Sequence, residues 1–537
     1  MSPDAQKQGV DRMGRKRRCG VLLHISSLPG EYGIGDMGAS ALEFADILVD
    51  SGVEAWQMLP LVPTGGAFSY SPYCSPSAFA GNIMFIDLAE LAELGLVDSS
   101  DLKSRTTPQS DSVNFERALS VKRELLLRAY VNFRRSDAYK TNFRDLSDEF
   151  WNFCRSESWW LEDYALFSVL KEMENDAPWS EWRPSFRSRD WNVLDPLKEK
   201  AEVARKLDVC RFEQFIFFKQ LDALREKCRE RGIELIGDLP IYVAHDSADV
   251  WGHQDLFELD GEGRPVCIAG VPPDYFSETG QRWGNPIYRW DKMKEDGYSW
   301  WMDRFAHTLR CVDTIRVDHF RGFIGYWSIP ESEPTAVNGE WMPGPGFELF
   351  HALRRKFGFS DGRMPFIAED LGVMTADVYE AMEEFKLPGM KVLHFAFGKE
   401  MPSNPYVPHN HRHDSVAYVG THDNNTTAGW WSDEATEEEK KNFLDYTNQK
   451  SLTGPDAADS MVRMALSSRA DLAVITAQDM LRLDASARMN TPSTTKDNWK
   501  WKLASLDGLR KRADNIKKLA VMYGRHTESE MRTSGLL

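Results

Sequence analysis

The sequence predicts an α/β fold, a (β/α)8 TIM barrel enlarged by helical and loop insertions. Eight short segments rich in Val, Ile and Leu recur along the 537 residues, and each ends in polar or charged residues. Near-continuous apolar strands are typical of a parallel sheet that is covered on both faces. Helical patterns separate these strands, which favours a barrel, although the pattern alone also allows a doubly wound open sheet.

The predicted strands follow one another at uneven spacing. They comprise residues 19–24, 55–61, 233–237, 314–317, 365–368, 390–396, 415–420 and 472–477. Before the third strand, Phe212, Phe215 and Leu224 recur at helical spacing, and Gly232 stands where a helix C-cap is expected. A helix that leads directly into a strand is what a repeated βα unit requires.

Two long insertions interrupt the predicted barrel. Residues 88–215 separate the second and third strands by more than a crossover needs, and they show helical periodicity. Residues 244–300 are rich in Gly, Pro, Tyr and Trp, which is typical of a lid or cleft-covering loop. The sequence therefore divides into five segments. In chain order they are a loose N-terminal tail (1–17), the first part of the barrel (18–87), a mostly helical insertion (88–215), the remainder of the barrel (216–524) and a polar C-terminal tail (525–537).

The composition excludes several classes of partner. The chain has 65 Lys and Arg against 82 Asp and Glu, a formal net charge of −17, which repels nucleic acid and anionic lipid. No apolar stretch approaches the roughly 18 residues of a membrane span, and the N-terminus lacks the apolar centre of a secretory signal. The seven cysteines are scattered without C-x-x-C spacing, which favours a reducing intracellular compartment without structural zinc or disulfides.

Three predicted strands end in a carboxylate. These carboxylates are Asp318 in TIRVDHFRGF, Glu369 in PFIAEDLG and Asp423 in VGTHDNNTT. Catalytic groups of a barrel lie just past the carboxyl ends of its strands, and cleavage of a glycosidic bond with retention requires a nucleophile and an acid. Any one of the three is more often a helix N-cap, but their combination with Arg316 and His422 favours a catalytic site.

Neighbouring residues predict a role for each carboxylate. Asp318 lies two residues from Arg316 on the same strand face, and a guanidinium keeps a nucleophile ionised. Glu369 reaches further and has a negative neighbour, which is expected to raise its pKa as an acid requires. Asp423, beside His422, is placed to bind sugar hydroxyls. The 18 Trp, 16 Tyr and 29 Phe include many in loop-like contexts, where aromatic faces can pack on sugar rings.

These three blocks resemble those of glycoside hydrolase family 77, the 4-α-glucanotransferases related to α-amylases. The likeness extends from about residue 18 to past residue 500. It includes GVLLHISSLPGEYGIGD at 20–36, SPYCSPSAFAGN at 71–82, GDLPIYVAHDSADVW at 237–251, GVPPDYFSETGQRWGNPIY at 270–288 and ARMNTPSTTKDNWKW at 487–501.

The resemblance implies a nucleophile at Asp318, an acid/base at Glu369 and a transition-state stabiliser at Asp423. It also implies several substrate-binding residues, which are Arg316, His422 and Asp238 around the −1 sugar, Tyr73 and Trp283 near the donor and acceptor sugars, and Asp274 in the loop that partly covers the cleft. The family chemistry needs no metal and no cofactor. Ser493 is a departure, because Gly is expected at this position of the family.

The expected reaction is retaining transfer of an α-1,4-glucan segment through a covalent glycosyl-enzyme. The donor is a maltooligosaccharide or a starch- or glycogen-derived glucan, and the acceptor is the 4-hydroxyl of a glucan or glucose. The alternatives are an α-amylase-like retaining hydrolase and a catalytically silent glucan-binding scaffold. We expect a monomer or weak homodimer with no nucleic-acid or membrane partner, in the cytoplasm or alternatively the plastid stroma. His409, His411 and His413 are interpreted as a solvated loop, although their alternation also allows a metal site.

Overall fold

The structure, a computed structural model, describes residues 17–135, 144–273, 277–359 and 363–526. The strands of this part of the chain are, in order, β1 (Arg18–Leu22), β2 (Ala55–Gln57), β3 (Glu234–Leu239), β4 (Cys267–Val271), β5 (Gln281–Pro286), β6 (Thr314–Val317), β7 (Gly325–Pro330), β8 (Glu340–Pro343), β9 (Phe366–Ala368), β10 (Gly389–Val392), β11 (Ser415–Tyr418) and β12 (Leu472–Thr476).

Eight of these strands close into a barrel in the order β1-β12-β11-β10-β9-β6-β3-β2. Every pairing within it is parallel, and β1 meets β12 with Val21 opposite Ile475. The barrel strands coincide with the eight predicted ones, so the predicted fold class is confirmed. The doubly wound alternative is wrong, because the first and last strands pair and leave the sheet no open edge.

Helices surround the barrel and fill the insertions. In the described residues they are α1 (Ala39–Asp50), α2 (Leu88–Glu93), α3 (Ser99–Lys103), α4 (Phe115–Arg135), α5 (Arg144–Ser156), α6 (Ser158–Met173), α7 (Pro184–Arg187), α8 (Trp191–Lys198), α9 (Ala201–Glu230), α10 (Ala248–Gly252), α11 (Trp290–Glu295), α12 (Ser299–Cys311), α13 (Arg321–Ile324), α14 (Gly346–Phe357), α15 (Ala376–Glu384), α16 (Thr427–Gly429), α17 (Glu437–Thr447), α18 (Gly454–Ser467), α19 (Ala477–Met480) and α20 (Asp507–Met522). None of them is both long and apolar enough to cross a bilayer.

The insertion between β2 and β3 is helical and shares its core with the barrel. Phe133 of α4 and Phe150 of α5 pack on Phe212 of α9, with ring centroids 5.1 and 6.2 Å from that of Phe212. Residue 215, where the sequence analysis divides insertion from barrel, lies inside α9. That helix packs against both α6 and β3. The barrel and the insertion are therefore joined by one continuous apolar core.

A second sheet, in the order β5-β4-β7-β8, lies outside the barrel and is antiparallel. Its first two strands belong to the segment 244–300, and the other two follow β6. The sequence analysis did not predict this sheet, because its short strands contain Gly, Pro and Ser and look like loop. Ile268, Ile329 and Ala336 form a small separate core on it.

The polar C-terminal segment begins with a buried residue. Arg525 is fully buried, and its guanidinium donates hydrogen bonds to the carbonyl oxygens of Leu466, Arg18 and Ser468 at 2.6, 2.8 and 2.9 Å. Carbonyl groups at the end of α18 have no partner within the helix, so a guanidinium there satisfies them. The rest of both predicted tails, residues 1–16 and 527–537, lies outside the described residues.

Candidate functional site

Arg316 connects two of the predicted carboxylates. Its Nη1 donates to both carboxylate oxygens of Asp238 at 2.8 Å and to Oδ1 of Asp318 at 2.9 Å. Asp238 of β3 is the register partner of Arg316 on β6, and Asp318 follows Arg316 on the same face. The Asp238 side chain is 0% exposed and that of Asp318 is 28% exposed. Asp238 therefore holds Arg316, whereas Asp318 keeps a face open to a ligand.

Tyr73 and His422 form one wall beside this ion-paired group. The Tyr73 hydroxyl donates to Oδ2 of Asp238 at 2.7 Å and lies 3.3 Å from Nδ1 of His422. The two rings stack with centroids 4.8 Å apart, and Trp499 lies 5.9 Å from each. Burial, reinforced by the charge of Asp238, raises the pKa of Tyr73 well above its usual value. Tyr73 thus keeps its proton and remains a hydrogen-bond donor.

Glu369, at the end of β9, is held by two backbone amides. Its Oε2 accepts a hydrogen bond from the N–H of His319 at 2.8 Å, and its Oε1 accepts one from the N–H of Leu371 at 2.7 Å. Burial raises the pKa of Glu369 to about 7, and the nearby negative charge of Asp318 acts in the same direction, while Arg316 opposes both. A substantial fraction of Glu369 is therefore protonated near neutral pH, as a general acid requires.

The adjacent Asp370 has a separate, structural contact. It accepts a hydrogen bond from the N–H of Met390 at 2.6 Å and pairs with Nζ of Lys391 at 3.1 Å, so it connects β9 to β10. The sequence analysis attributed the raised pKa of Glu369 to its negative neighbour in the chain. The direction is as predicted, but the main cause is burial, and the negative charge that adds to it is that of Asp318.

Asp423 is the most open of the three carboxylates, with a side chain that is 47% exposed. Its Oδ1 accepts a hydrogen bond from Nδ2 of Asn490 at 2.6 Å and lies 3.4 Å from Nε2 of His422. Arg488 donates to the Asp423 carbonyl oxygen at 2.9 Å. A segment that follows β12 thus orients this carboxylate, while the side chain stays accessible to a ligand.

Trp283 lies on β5 of the second sheet, at the edge of the site. Its side chain is 37% exposed, and its ring stands edge-on to the ring of His319, with centroids 4.9 Å apart and an angle of 89°. The remaining predicted residue, Asp274, lies outside the described residues. Hydrogen bonds, ion pairs and a ring contact link six of the other predicted positions into one group, which are Arg316, Asp238, Asp318, Tyr73, His422 and Asp423. Glu369 and Trp283 are each joined to that group through His319, the residue after Asp318.

Sequence reasoning missed three residues that contact the predicted ones. They are Asn490 beside Asp423, Trp499 beside Tyr73 and His422, and His319 between Glu369 and Trp283. All three stand in sequence blocks that carry the family resemblance, which was the available signal. Their roles depend on contacts across the fold, and no local pattern reveals those contacts.

The alternating histidines have different surroundings, because His409 and His413 are exposed as the predicted solvated loop requires, whereas His411 is buried. The Nε2 of His411 lies 2.9 Å from the carbonyl oxygen of Tyr406 in a buried position, while His409 is exposed and lies beside Tyr446. Within residues 17–135, 144–273, 277–359 and 363–526, no group of three His, Cys, Asp or Glu side chains is arranged to hold a metal ion.

Comparisons with known proteins identify the family of this chain. The 4-alpha-glucanotransferase model of glycoside hydrolase family 77 matches residues 23–507. The 4-alpha-glucanotransferase of Thermus thermophilus is 44% identical over 492 residues, which cover 91% of this chain and 95% of the relative. The chloroplastic/amyloplastic 4-alpha-glucanotransferase of Solanum tuberosum is 39% identical over 517 residues, covering 95% and 87%.

A solved structure is similar over almost the whole chain. The amylomaltase from Streptococcus agalactiae in complex with acarbose superimposes with a TM-score of 0.88 at 35% identity, covering 95% of this chain and 100% of that one. Sequence and structure thus agree along the full barrel and its insertions. The chain belongs to glycoside hydrolase family 77, the family of the 4-α-glucanotransferases.

Proposed function

We propose that this chain transfers α-1,4-glucan segments between glucans with retention of configuration, and that Asp318, Glu369 and Asp423 carry the reaction. One observation supports the assignment above the others. Asp318, whose carboxylate is paired with Arg316, and Glu369, whose pKa is about 7, stand at the ends of the adjacent strands β6 and β9. An ionised nucleophile and a protonated acid are the pair that a retaining mechanism requires.

In the first step, Asp318 attacks the anomeric carbon of the donor sugar. Arg316 holds Oδ1, which leaves Oδ2 to form the new bond. As the glycosidic C–O bond breaks, Glu369 gives its proton to the departing oxygen, and the shortened glucan leaves with the bonding electron pair. Asp423 binds hydroxyls of the same sugar and stabilises the oxocarbenium-like transition state.

In the second step, the acceptor replaces the departed chain. Glu369, now ionised, removes the proton from the acceptor 4-hydroxyl while that oxygen attacks the anomeric carbon and Asp318 leaves. Two inversions restore the α configuration. Water attacking in place of the acceptor would give hydrolysis, so the transfer yield depends on how well the site holds an acceptor sugar.

The remaining residues position the sugars. Asp238 holds Arg316, and the −1 sugar lies against these two residues and against the wall formed by Tyr73 and His422. Trp283 offers an exposed aromatic face to the acceptor, since a pyranose presents apolar C–H groups to such a ring. Asp274, in the loop expected to cover part of the cleft, is also proposed to bind substrate.

Product analysis with maltotriose tests the transfer. We expect glucose and maltooligosaccharides longer than maltotriose, with an unchanged number of reducing ends, because transfer breaks one glycosidic bond and forms another. A rise in reducing ends with only shorter products would establish the α-amylase-like hydrolase instead. Unchanged maltotriose, together with retained glucan binding, would identify a silent scaffold.

We also propose an intracellular monomer or weak homodimer, in the cytoplasm or the plastid stroma. Curated relatives include bacterial enzymes and the chloroplastic/amyloplastic potato protein, and the acidic composition suits a neutral substrate. Light scattering of the purified chain over a concentration series tests the assembly state. A stable higher oligomer, or recovery of the native protein from the secreted fraction of its cells, would contradict these assignments.

A further inference from the structure

Asp423 differs from the other two proposed catalytic carboxylates in how the chain supports it. Asp318 and Glu369 directly follow their barrel strands, whereas Asp423 stands in a loop, five residues beyond the end of β11 at Tyr418. A loop places a side chain less precisely than a strand does, and a misplacement of about 1 Å can cost roughly a hundredfold in rate. Contacts from elsewhere in the chain must therefore fix the position of Asp423.

Arg488 connects this loop to the segment 488–490. Its Nη2 donates to the carbonyl oxygen of Asp423 at 2.9 Å, and its Nε donates to the carbonyl oxygen of Asn490 at 2.8 Å. Asn490 in turn donates to Oδ1 of Asp423 at 2.6 Å through its side chain, and to the carbonyl oxygen of His422 at 3.1 Å through its backbone. Arg488 therefore bonds the backbone of both residues that form the contact with the carboxylate.

Glu434 holds the other side of the guanidinium. Its Oε1 accepts a hydrogen bond from Nη1 of Arg488 at 2.7 Å and one from Nδ2 of Asn425 at 3.0 Å. Glu434 ends a single turn of π-helix, Trp430–Glu434, and such turns are frequent at functional sites. Trp430, at the start of the turn, is buried, so the turn is attached to the core. Three nitrogen atoms of Arg488 thus bond three different parts of the chain.

We propose that Arg488 is a positioning residue for Asp423 and that Glu434 anchors it. A guanidinium is planar and presents its donors in a fixed fork, so the three acceptors of Arg488 are kept in one arrangement, from which the Asp423 carboxylate takes its direction. Asp423 stabilises the transition state, so a displaced carboxylate slows the reaction more than it weakens substrate binding. This inference rests on the proposed function, in which Asp423 has that role.

Substitutions at 488 test the positioning role. Arg488→Met removes all three bonds and keeps most of the aliphatic stem. We expect kcat for glucose release from maltotriose to fall about ten- to a hundredfold while KM changes less than about threefold, because the misplaced carboxylate fails chiefly in the transition state. Arg488→Lys keeps the charge but offers a single nitrogen, so it should recover only part of the loss.

Arg482→Met is the matched control. Arg482 also bonds a carbonyl oxygen and a carboxylate, those of Pro455 and Asp456 at 3.1 and 3.2 Å, and these residues take no part in the proposed site. We expect its kcat to stay within about twofold of the wild type.

Substitutions at 434 test the anchor while Arg488 stays in place. Glu434→Ala removes the acceptor of Nη1, and we expect kcat to fall about two- to tenfold, the fold-change that corresponds to a typical hydrogen bond. Glu434→Gln keeps an oxygen at this position and should restore most of kcat. Equal kcat in the two variants would overturn the anchoring role, and this comparison remains available if Arg488→Met fails to fold.

A double-mutant cycle with Asp423→Asn separates positioning from a general loss of structure. We expect Asp423→Asn alone to lower kcat about a hundredfold or more. Arg488→Met should add less than about twofold in that background, because the carboxylate through which it acts is gone. The donor is α-maltosyl fluoride, since fluoride departs without a proton from Glu369 and the residual rates are therefore higher.

Three outcomes would overturn the positioning role. The first is an Arg488→Met effect that is as large in the Asp423→Asn background as in the wild type. The second is a folded Arg488→Met enzyme with the kcat of the wild type, and the third is an equal loss of kcat in Arg482→Met. An unchanged kcat in Asp423→Asn would overturn the proposed role of Asp423 as well, so this single variant distinguishes a failure of the proposed function from a failure of the inference about Arg488.

Discussion

The carboxyl ends of the barrel strands and the second sheet meet at one site, but they are built differently. In the barrel, Asp238 and Arg316 are buried, and each bonds a charged partner on the neighbouring strand. In the second sheet, every residue of β8 is exposed, and Trp283 and Trp341 are 37% and 41% exposed. The first region fixes charged groups in position, and the second offers aromatic surface to the solvent.

This difference separates chemistry from recognition. Bond cleavage requires reacting groups held within a few tenths of an ångström, which rigid parallel strands with buried ion pairs provide. Binding of glucans of varied length requires accessible, adaptable surface, and a sheet with only a small core of its own is suited to that. Changes in the barrel should therefore abolish the reaction, whereas changes in the second sheet should redirect it.

The largest effect is expected from Asp318→Asn. An amide cannot form the glycosyl-enzyme, so we expect donor cleavage to fall at least about a thousandfold, measured by glucose release from maltotriose. Asp414→Asn is the matched control, because this carboxylate precedes β11 at the opposite end of the barrel and contacts Arg412 on the surface. Activity of Asp318→Asn within a few-fold of wild type would show that the nucleophile is a different residue.

Arg316→Met should show that the barrel network is also structural. It leaves the Asp238 carboxylate buried without its cation, and we expect a loss of about 3–5 kcal/mol in the free energy of unfolding, measured by urea titration. The surface pair of Arg412 and Asp414 provides the comparison, and Arg412→Met should cost less than about 1 kcal/mol. Equal losses in the two variants would remove the distinction between buried and exposed charges.

The pH dependence of kcat/KM sharpens the role of Glu369. Burial raises its pKa to about 7, and the acid must be protonated, so activity should be retained below that pH and fall about tenfold per unit above it. Folding stabilises the protonated form, so the contribution of Glu369 to stability is present below the unfolded pKa and is lost as pH rises through about 7. Glu369→Gln should lose the fall of kcat/KM at high pH. If that fall persists in the variant, the ionising group that causes it is not Glu369.

The smallest effect is expected from Ser493→Gly, in the exposed segment that follows Asn490. Ser493 has a φ of +63°, which glycine adopts without steric cost, so we expect stabilisation of up to about 1 kcal/mol. The measurement is the melting temperature. Thr495→Gly in the same segment is the control, and it should not stabilise because position 495 lacks a positive φ. Stabilisation by both substitutions would show that backbone strain is not the cause.

The sequence by itself determined the eight strands and the positions of their terminal carboxylates, whereas the pairing of β1 with β12 decided between a closed barrel and an open sheet. Apolar runs bounded by polar residues mark strands locally, and a carboxylate after each of three strands is visible without any long-range contact. For the same reason, Arg316 and Asp318 could be placed on one strand face from their spacing alone. The strands of the second sheet are short and interrupted by Gly and Pro, so neither an apolar run nor an alternation of apolar and polar residues revealed them.

Only the tertiary structure decided how those residues work together. Arg316 is shared with Asp238, a residue 78 positions earlier in the chain, because β3 and β6 are neighbours in the barrel. Burial, and not the adjacent Asp370, raises the pKa of Glu369, and the left-handed His319 reaches both Glu369 and Trp283. Burial and contact are properties of the closed barrel, since they depend on which strands become neighbours, and local sequence patterns do not encode that.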